Sequence, residues 1–411
     1  MAMQNALYQY IELYNANRPV VEARSSEPLN RLRTAALEAL ETAGRLPAKG
    51  DEGFEKTSIN DMFAPDFGVN ISGINIPADI ASSFRCGVPN LSTLMGVVVN
   101  DRFTPTSTLL KNLPAGVTMC SLSEAAGKHP GIVGKWYGSV ANLDSPGTAL
   151  NTLLAQEGVF IHVARGVRLE KALQLVSILS APSPLAAFRR ILLVAEEGAQ
   201  VSVLKCDHTQ EGSQQCLSSE VVEIVALNGS KVEWYDIEES NADTSRYCQV
   251  YVSQHEGAQV NLCSSTLTNG TTRNEYSLDI NGDNTLTHLS GMAIGSGSQH
   301  IDNSSDLRHK ASRGHSNQVF KYVLDDNATG AFEGSIEVCH GARFVEAYQS
   351  NRNILASSNA RMHTKPQLLI YNDDVKCSHG ATTGQLDSKA LFYMQTRGIP
   401  LQQARRMLMQ A

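Results

Sequence analysis

The sequence predicts a mainly β protein in which a parallel β-solenoid is flanked by helical segments at both ends. Three observations carry this. From Gly158 to about Gly384 the chain is made of short alternating apolar and polar runs separated by glycine-bearing turns. The turns recur: Gly198, Gly229, Gly257 and Gly282 are followed by Val201, Val232, Val260 and Leu286, at intervals of 31, 28 and 25 residues. Repeats of this length are supersecondary units that bury their apolar face only when neighbours stack. Outside this region the apolar spacing changes from two to three and four, the period of a helix.

The first 85 residues read as a helical and irregular region. Leu29, Leu32, Ala36, Leu37 and Leu40 recur at helical spacing, with Pro28 suited to the first turn and Gly44 as the stop. Residues 54–67 read as irregular, with Asp61 a possible helix cap. The β-helix core is expected over 86–385. Its first runs are Leu94 to Val99 and Gly116 to Cys120, and a helical interruption follows near 121–157, with one helix starting at Ser123 and another carrying Ala149, Leu150, Leu153 and Leu154. Within the repeats Val201, Val203, Val232, Trp234, Val260 and Leu262 are expected to point inward, and Ser202, Glu233 and Asn261 outward. A helical segment over 386–411 closes the chain, with Leu401, Ala404 and Leu408 on one face.

A β-sandwich also shows short strands at regular spacing. Units of 25 to 31 residues favour the solenoid, since each holds two or three strands. A solenoid leaves unpaired strand edges at its ends, which must be covered or used. The last such strand is expected around Tyr371 to Gly384.

Composition removes several function classes. The 34 basic and 41 acidic residues leave a net charge of −7 and no basic tract, against a nucleic-acid binder. No apolar run approaches the roughly 18 to 20 residues that cross a bilayer, and the opening residues carry no charged segment before an apolar one. The eight cysteines form no C-x-x-C pair, which fits a reducing, cytoplasmic setting in which Cys86, Cys120, Cys216, Cys248 and Cys339 are small buried hydrophobes. Gly131 to Trp136 contains a Gly-Lys pair but lacks the Ser or Thr and the glycine spacing of a phosphate-binding loop. Asp302, Asp306 and His309 stand at helical spacing within a stretch, His300 to His315, that reads as a solvated rung or loop. His340 beside Cys339 faces the opposite side of any strand.

The pair best suited to chemistry is Cys377 and His379. Positions i and i+2 of a strand share a face, with Cα atoms roughly 6.5 to 7 Å apart. A neutral imidazole binds a metal without first losing a proton, whereas a thiol of pKa about 8.5 must ionise. Two donors do not close a metal site, since zinc takes four and iron-sulfur clusters take protein ligands at every iron. The rest must come from elsewhere in this chain or from a partner across an interface. The bland alternative is a buried thiol and a chance C-x-H spacing.

The stretch Asp374-Val-Lys-Cys-Ser-His-Gly-Ala-Thr-Thr-Gly384, together with Asn351-Arg-Asn-Ile354 and Leu391-Phe-Tyr-Met-Gln-Thr-Arg-Gly-Ile399, closely resembles the SufD branch of the SufB/SufD family of iron-sulfur cluster assembly proteins. The turns Glu196-Glu-Gly-Ala199 and His255-Glu-Gly-Ala258 also look like this family. The resemblance implies a right-handed parallel β-helix and a non-catalytic scaffold. It implies a heterodimer with SufB through the terminal strands, a homodimer in isolation, and docking of the ABC-type ATPase SufC on the C-terminal segment, including Leu386, Leu391, Phe392, Tyr393, Arg397 and Gly398. It makes His379 the functional residue, places Cys377 at the subunit interface, and implies no resident cofactor but a transient iron-sulfur cluster or iron shared with SufB. Family members continue with a further amphipathic helix, so the segment 386–411 is expected to be shortened. The competing class is a carbohydrate-active β-helix enzyme. Such enzymes need paired carboxylates and aromatic platforms along a groove, and this chain has two Trp.

Overall fold

A computed structural model describes residues 5–79 and 93–410; Cys86 and the expected boundary at residue 85 lie outside them. The chain winds as a β-solenoid of about eight turns, with helices before it, within its first turns and after it. Each full turn contributes one strand to each of two ten-stranded sheets. The first sheet runs outward from Leu185–Ala195 through Cys216–Ala226, Thr244–Gln254, Thr271–Ile280, His300–His309 and Thr329–Val338 to Arg361–Ile370. The second runs from Leu173–Leu179 through Gln200–Thr209, Lys231–Glu239, Gln259–Thr268, Leu286–Gly295, His315–Leu324 and Val345–Leu355 to Val375–Gln385. All of these neighbours pair in parallel; the antiparallel pairs, Leu94–Val99 with Arg102–Pro105 and Val117–Ser121 with Val159–Val163, lie at the opposite end.

The period-two pattern falls on the faces that the sequence predicts. Val201, Val203, Val232, Trp234, Val260 and Leu262 form the apolar half of the interior, while Ser202, Glu233 and Asn261 face out. One corner of each turn is held by a residue in the left-handed region. Gly166, Gly198, Gly229 and Gly257 take φ of 71°, 67°, 64° and 65°, and the next rungs use Asn284, Arg313 and Phe344 at 57° to 58°. The amide of each donates to a carbonyl on the following rung, as Gly198 N–H does to Asn228 O at 2.9 Å and Phe344 N–H to Asp374 O at 2.7 Å. The fourth repeat therefore differs from expectation, because Asn284 and not Gly282 is the corner. Gly282 is glycine for another reason: a Cβ there would stand 2.0 Å from the Glu256 amide nitrogen.

The N-terminal helices, Ala6–Ala23, Glu27–Arg31 and Arg33–Ala43, form with Pro146–Leu154 a layer over the outside of the first sheet. Tyr10 meets Phe188 edge-on, and Asn151 donates to the carbonyls of Arg189 and Ser219. Buried Arg33 caps the carbonyl end of Pro146–Leu154, reaching Thr152 O, Leu153 O and Ala155 O. Gly44 ends its helix in the left-handed conformation, as predicted. Residues 54–67 contain a short helix, Ile59–Phe63, whose cap is Ser58 rather than Asp61: the Ser58 hydroxyl accepts the Asp61 amide at 3.1 Å. The helical interruption holds a helix at Pro130–Trp136 besides those expected, so Gly131 to Trp136 is helical and not a phosphate loop.

Of the two alternatives for His300 to His315, a solvated rung or a loop, the rung holds for most of the stretch, though much of it is buried. His300–His309 is a strand of the first sheet, a rung whose side chains alternate between buried and half-buried along most of its length. Asp302 pairs with Arg273 at 2.7 Å, both buried, and Arg273 also donates to Gly53 O of the overlying N-terminal segment. In a strand Asp302 and Asp306 share the outer face and His309 points inward, so the three do not converge. Cys120, Cys216 and Cys248 are buried as expected, whereas Cys339 is half-buried at a turn.

Candidate functional site at the open end of the solenoid

Cys377 and His379 lie on Val375–Gln385, which ends its sheet and has, among the described residues, one strand neighbour, Val345–Leu355. The register sets their direction. Cys377 continues the inward column Thr287, Ser316, Ala347, and His379 continues Leu289, Gln318, Gln349. Those six are buried or fully enclosed by the rung above; on the last rung nothing follows, so Cys377 is half-buried and His379 exposed. The thiol packs against a small apolar cluster of Ile336, Val338, Ala342, Val345 and Ala347, and this burial pushes its pKa up. Lys376 points the other way and pairs with Glu346 at 2.8 Å on the outer surface.

The first sheet ends beside it in the same manner. Arg361–Ile370 is also an edge strand, and Leu369, Ile370 and Tyr371 near its end are exposed. Two parallel edges and two rows of inward-facing side chains thus meet solvent together. An unpaired edge is a template for a strand from another chain. Among the described residues no three His, Cys, Asp or Glu side chains come together as a metal site.

The C-terminal segment leaves the last strand and forms Ser388–Thr396 and Leu401–Gln410, with the Asp387 side chain accepting the Lys389 amide as cap. The second helix returns along the side of the solenoid, where Ala404 is buried and Arg405 holds Asp325 at 2.9 Å and Ala356 O at 2.7 Å. The first helix buries no residue. Leu386 and Leu391 are half-buried, while Phe392 and Tyr393 are 68% and 59% exposed and Arg397 stacks over Tyr393. Gly398 ends this helix at φ 82°.

One constellation escaped the sequence reading. Deeper in the solenoid, Lys205 is enclosed by Asp207, Glu220 and Asp236, and Arg246 by Asp236, Asp207 and Glu238, with Arg189 on Asp207. Burial opposes both cations, yet the surrounding carboxylates raise the Lys205 and Arg246 pKa values, and those cations hold Asp207 far below the usual carboxylate range. Burial pushes Glu238 up. The signal was present in the alternation, because Lys205 and Asp207 extend the inward series Val201, Val203.

The fold is a β-solenoid with two open edge strands at one end, and sequence comparison places it in a family. The model of the SufBD core domain of the SUF system for iron-sulfur cluster assembly matches residues 178–411, and that of the SufBD N-terminal region matches 4–175. The chain belongs to the SufBD family, and it has a role in iron-sulfur cluster assembly. Its relatives make it SufD-like. An iron-sulfur cluster assembly SufBD family protein of Synechocystis is 27% identical over 89% of this chain and 82% of its own length. Iron-sulfur cluster assembly protein SufD of Bacillus subtilis is 26% identical over 71% and 68%, and SufD of Escherichia coli 29% over 64% and 62%. A chloroplastic protein of Arabidopsis thaliana is 25% identical over 93% of this chain. Among the described residues no helix is long and apolar enough to cross a membrane.

Proposed function

We propose that the chain is a non-catalytic partner subunit that pairs its two terminal edge strands with those of SufB and presents His379 and Cys377 to iron or a nascent cluster, which is cargo shared with SufB and not a resident cofactor. The observation that carries this is the position of both donors on the inward face of an unpaired edge strand. β-Augmentation covers the edges and brings foreign donors opposite. His379, exposed on that edge, is the donor within reach of the cargo. Cys377 starts further from its ligand form, because burial opposes the thiolate until a metal displaces the proton. The exposed apolar face at Phe392 and Tyr393, with Leu386, Leu391, Arg397 and Gly398, is the docking segment for SufC. In isolation the same edges pair two copies of this chain.

The test is His379→Ala. The complex with SufB and SufC should elute unchanged from a sizing column while cluster formation in cells is abolished. A complex that fails to assemble, or one that assembles and builds clusters at the normal rate, would refute the donor role.

A further inference from the structure

Gln349 lies one strand inward of His379 in the same column and is 4% exposed. Its amide is oriented from below. Nε2 donates to Gln318 Oε1 at 3.2 Å, and that same oxygen accepts the Ser305 hydroxyl at 2.8 Å. Room for this arrangement comes from Gly334, where a Cβ would stand 2.2 Å from Gln349 Nε2. With its nitrogen committed downward, Gln349 keeps Oε1 as a buried acceptor that has no hydrogen-bond partner among the described residues. Buried polar atoms of native proteins are nearly always paired. The next side chain in the column is the His379 imidazole, one strand spacing of about 4.8 Å further out.

A neutral imidazole has one N–H and one bare nitrogen, and the hydrogen bond made by the first decides which nitrogen is free to bind a metal. We propose that Gln349 is a positioning residue for His379: its Oε1 accepts one ring N–H, fixes the tautomer and turns the unprotonated nitrogen out of the open end toward the iron cargo. This rests on the donor role of His379. The ladder Ser305, Gln318, Gln349 is then a polar support that transmits a fixed orientation to the last rung.

The experiment uses the full chain labelled with 15N at its 11 histidines, with the His379 signals identified by their loss in His379→Ala. Long-range proton–nitrogen spectra report the tautomer directly. One tautomer should dominate in the unsubstituted chain, give way to a mixture in Gln349→Met, which has similar length and no acceptor, and return in Gln349→Glu. Cobalt(II) binding to the complex with SufB should weaken by about 10- to 100-fold in the Met variant, the usual loss when an orienting partner of a ligand histidine is removed, and less in the Glu variant. A tautomer ratio unchanged by Gln349→Met overturns the proposal and leaves the donor role standing. Normal cluster building by His379→Ala overturns the donor role instead, and the tautomer spectra still read the contact.

Discussion

His309 shows what the interior does to a titratable group. It points into the solenoid and pairs through Nε2 with the Ser316 hydroxyl at 2.8 Å. Burial, aided by nearby His315, pushes its pKa down from 6.5 to about 4. Above pH 6.5 the imidazole is neutral in both folded and unfolded chains, and its contribution to stability is intact. As the pH falls toward 4 only the unfolded chain takes up the proton, so stability is lost across that window, by up to about 3 kcal/mol for a shift of this size. In His309→Gln, urea unfolding measured between pH 7 and 4 should show a shallower loss. Equal slopes for both proteins would contradict the assignment. At this scale the Cys377 and His379 pair was legible, because a strand's alternation is local. The Lys205 and Arg246 network was not read, since most of its partners arrive from other strands, 8 to 39 residues away in sequence, and polar residues are by default placed outside.

Among the elements, the corner ladder carries a cost that varies from rung to rung. Glycine accepts the left-handed conformation freely, whereas a residue with Cβ pays roughly 1 to 2 kcal/mol. Phe344 does so at φ 58° and is 60% exposed, so little packing offsets the strain. Phe344→Gly should raise the urea midpoint, by a stabilisation of about 0.5 to 1 kcal/mol after the greater chain entropy of glycine is counted; a lowered midpoint would mean that the ring makes contacts worth more than the strain. The same ladder explains why the sequence yields three of the four turns. Glycine marks a corner only where glycine fills it, and from Asn284 onward the backbone keeps the conformation under other side chains. The short helix after Ser58 was missed for a similar reason, as five residues hold too little periodicity to register.

Across the whole molecule, stability should grade along the solenoid axis, because each rung touches only its neighbours. Amide hydrogen exchange should be slowest in Lys231–Glu239 and Thr244–Gln254, which have strands on both sides and, for the latter, helices outside. It should be fastest in Arg361–Ile370 and Val375–Gln385. Adding SufB should slow exchange in those two strands selectively. Uniform protection along the axis, or protection gained elsewhere, would argue against pairing through the open end. The solenoid itself could be read from repeats and alternation. The cladding of its first turns by the N-terminal helices could not, because an amphipathic helix declares an apolar face without saying which surface receives it.

The parallel pairing also bears on how the chain is made. Every strand from Leu185 onward hydrogen-bonds on its inner side to a strand that precedes it in sequence by about one turn. Its template is therefore already outside the ribosome when it emerges, and the protein can be laid down turn by turn during synthesis without waiting for distant segments. Among the described residues, the strand that bears Cys377 and His379 comes after every other strand in the sequence. A nascent chain thus exposes that edge only after the turns before it have closed, which shortens the time in which the edge can pair with the wrong chain.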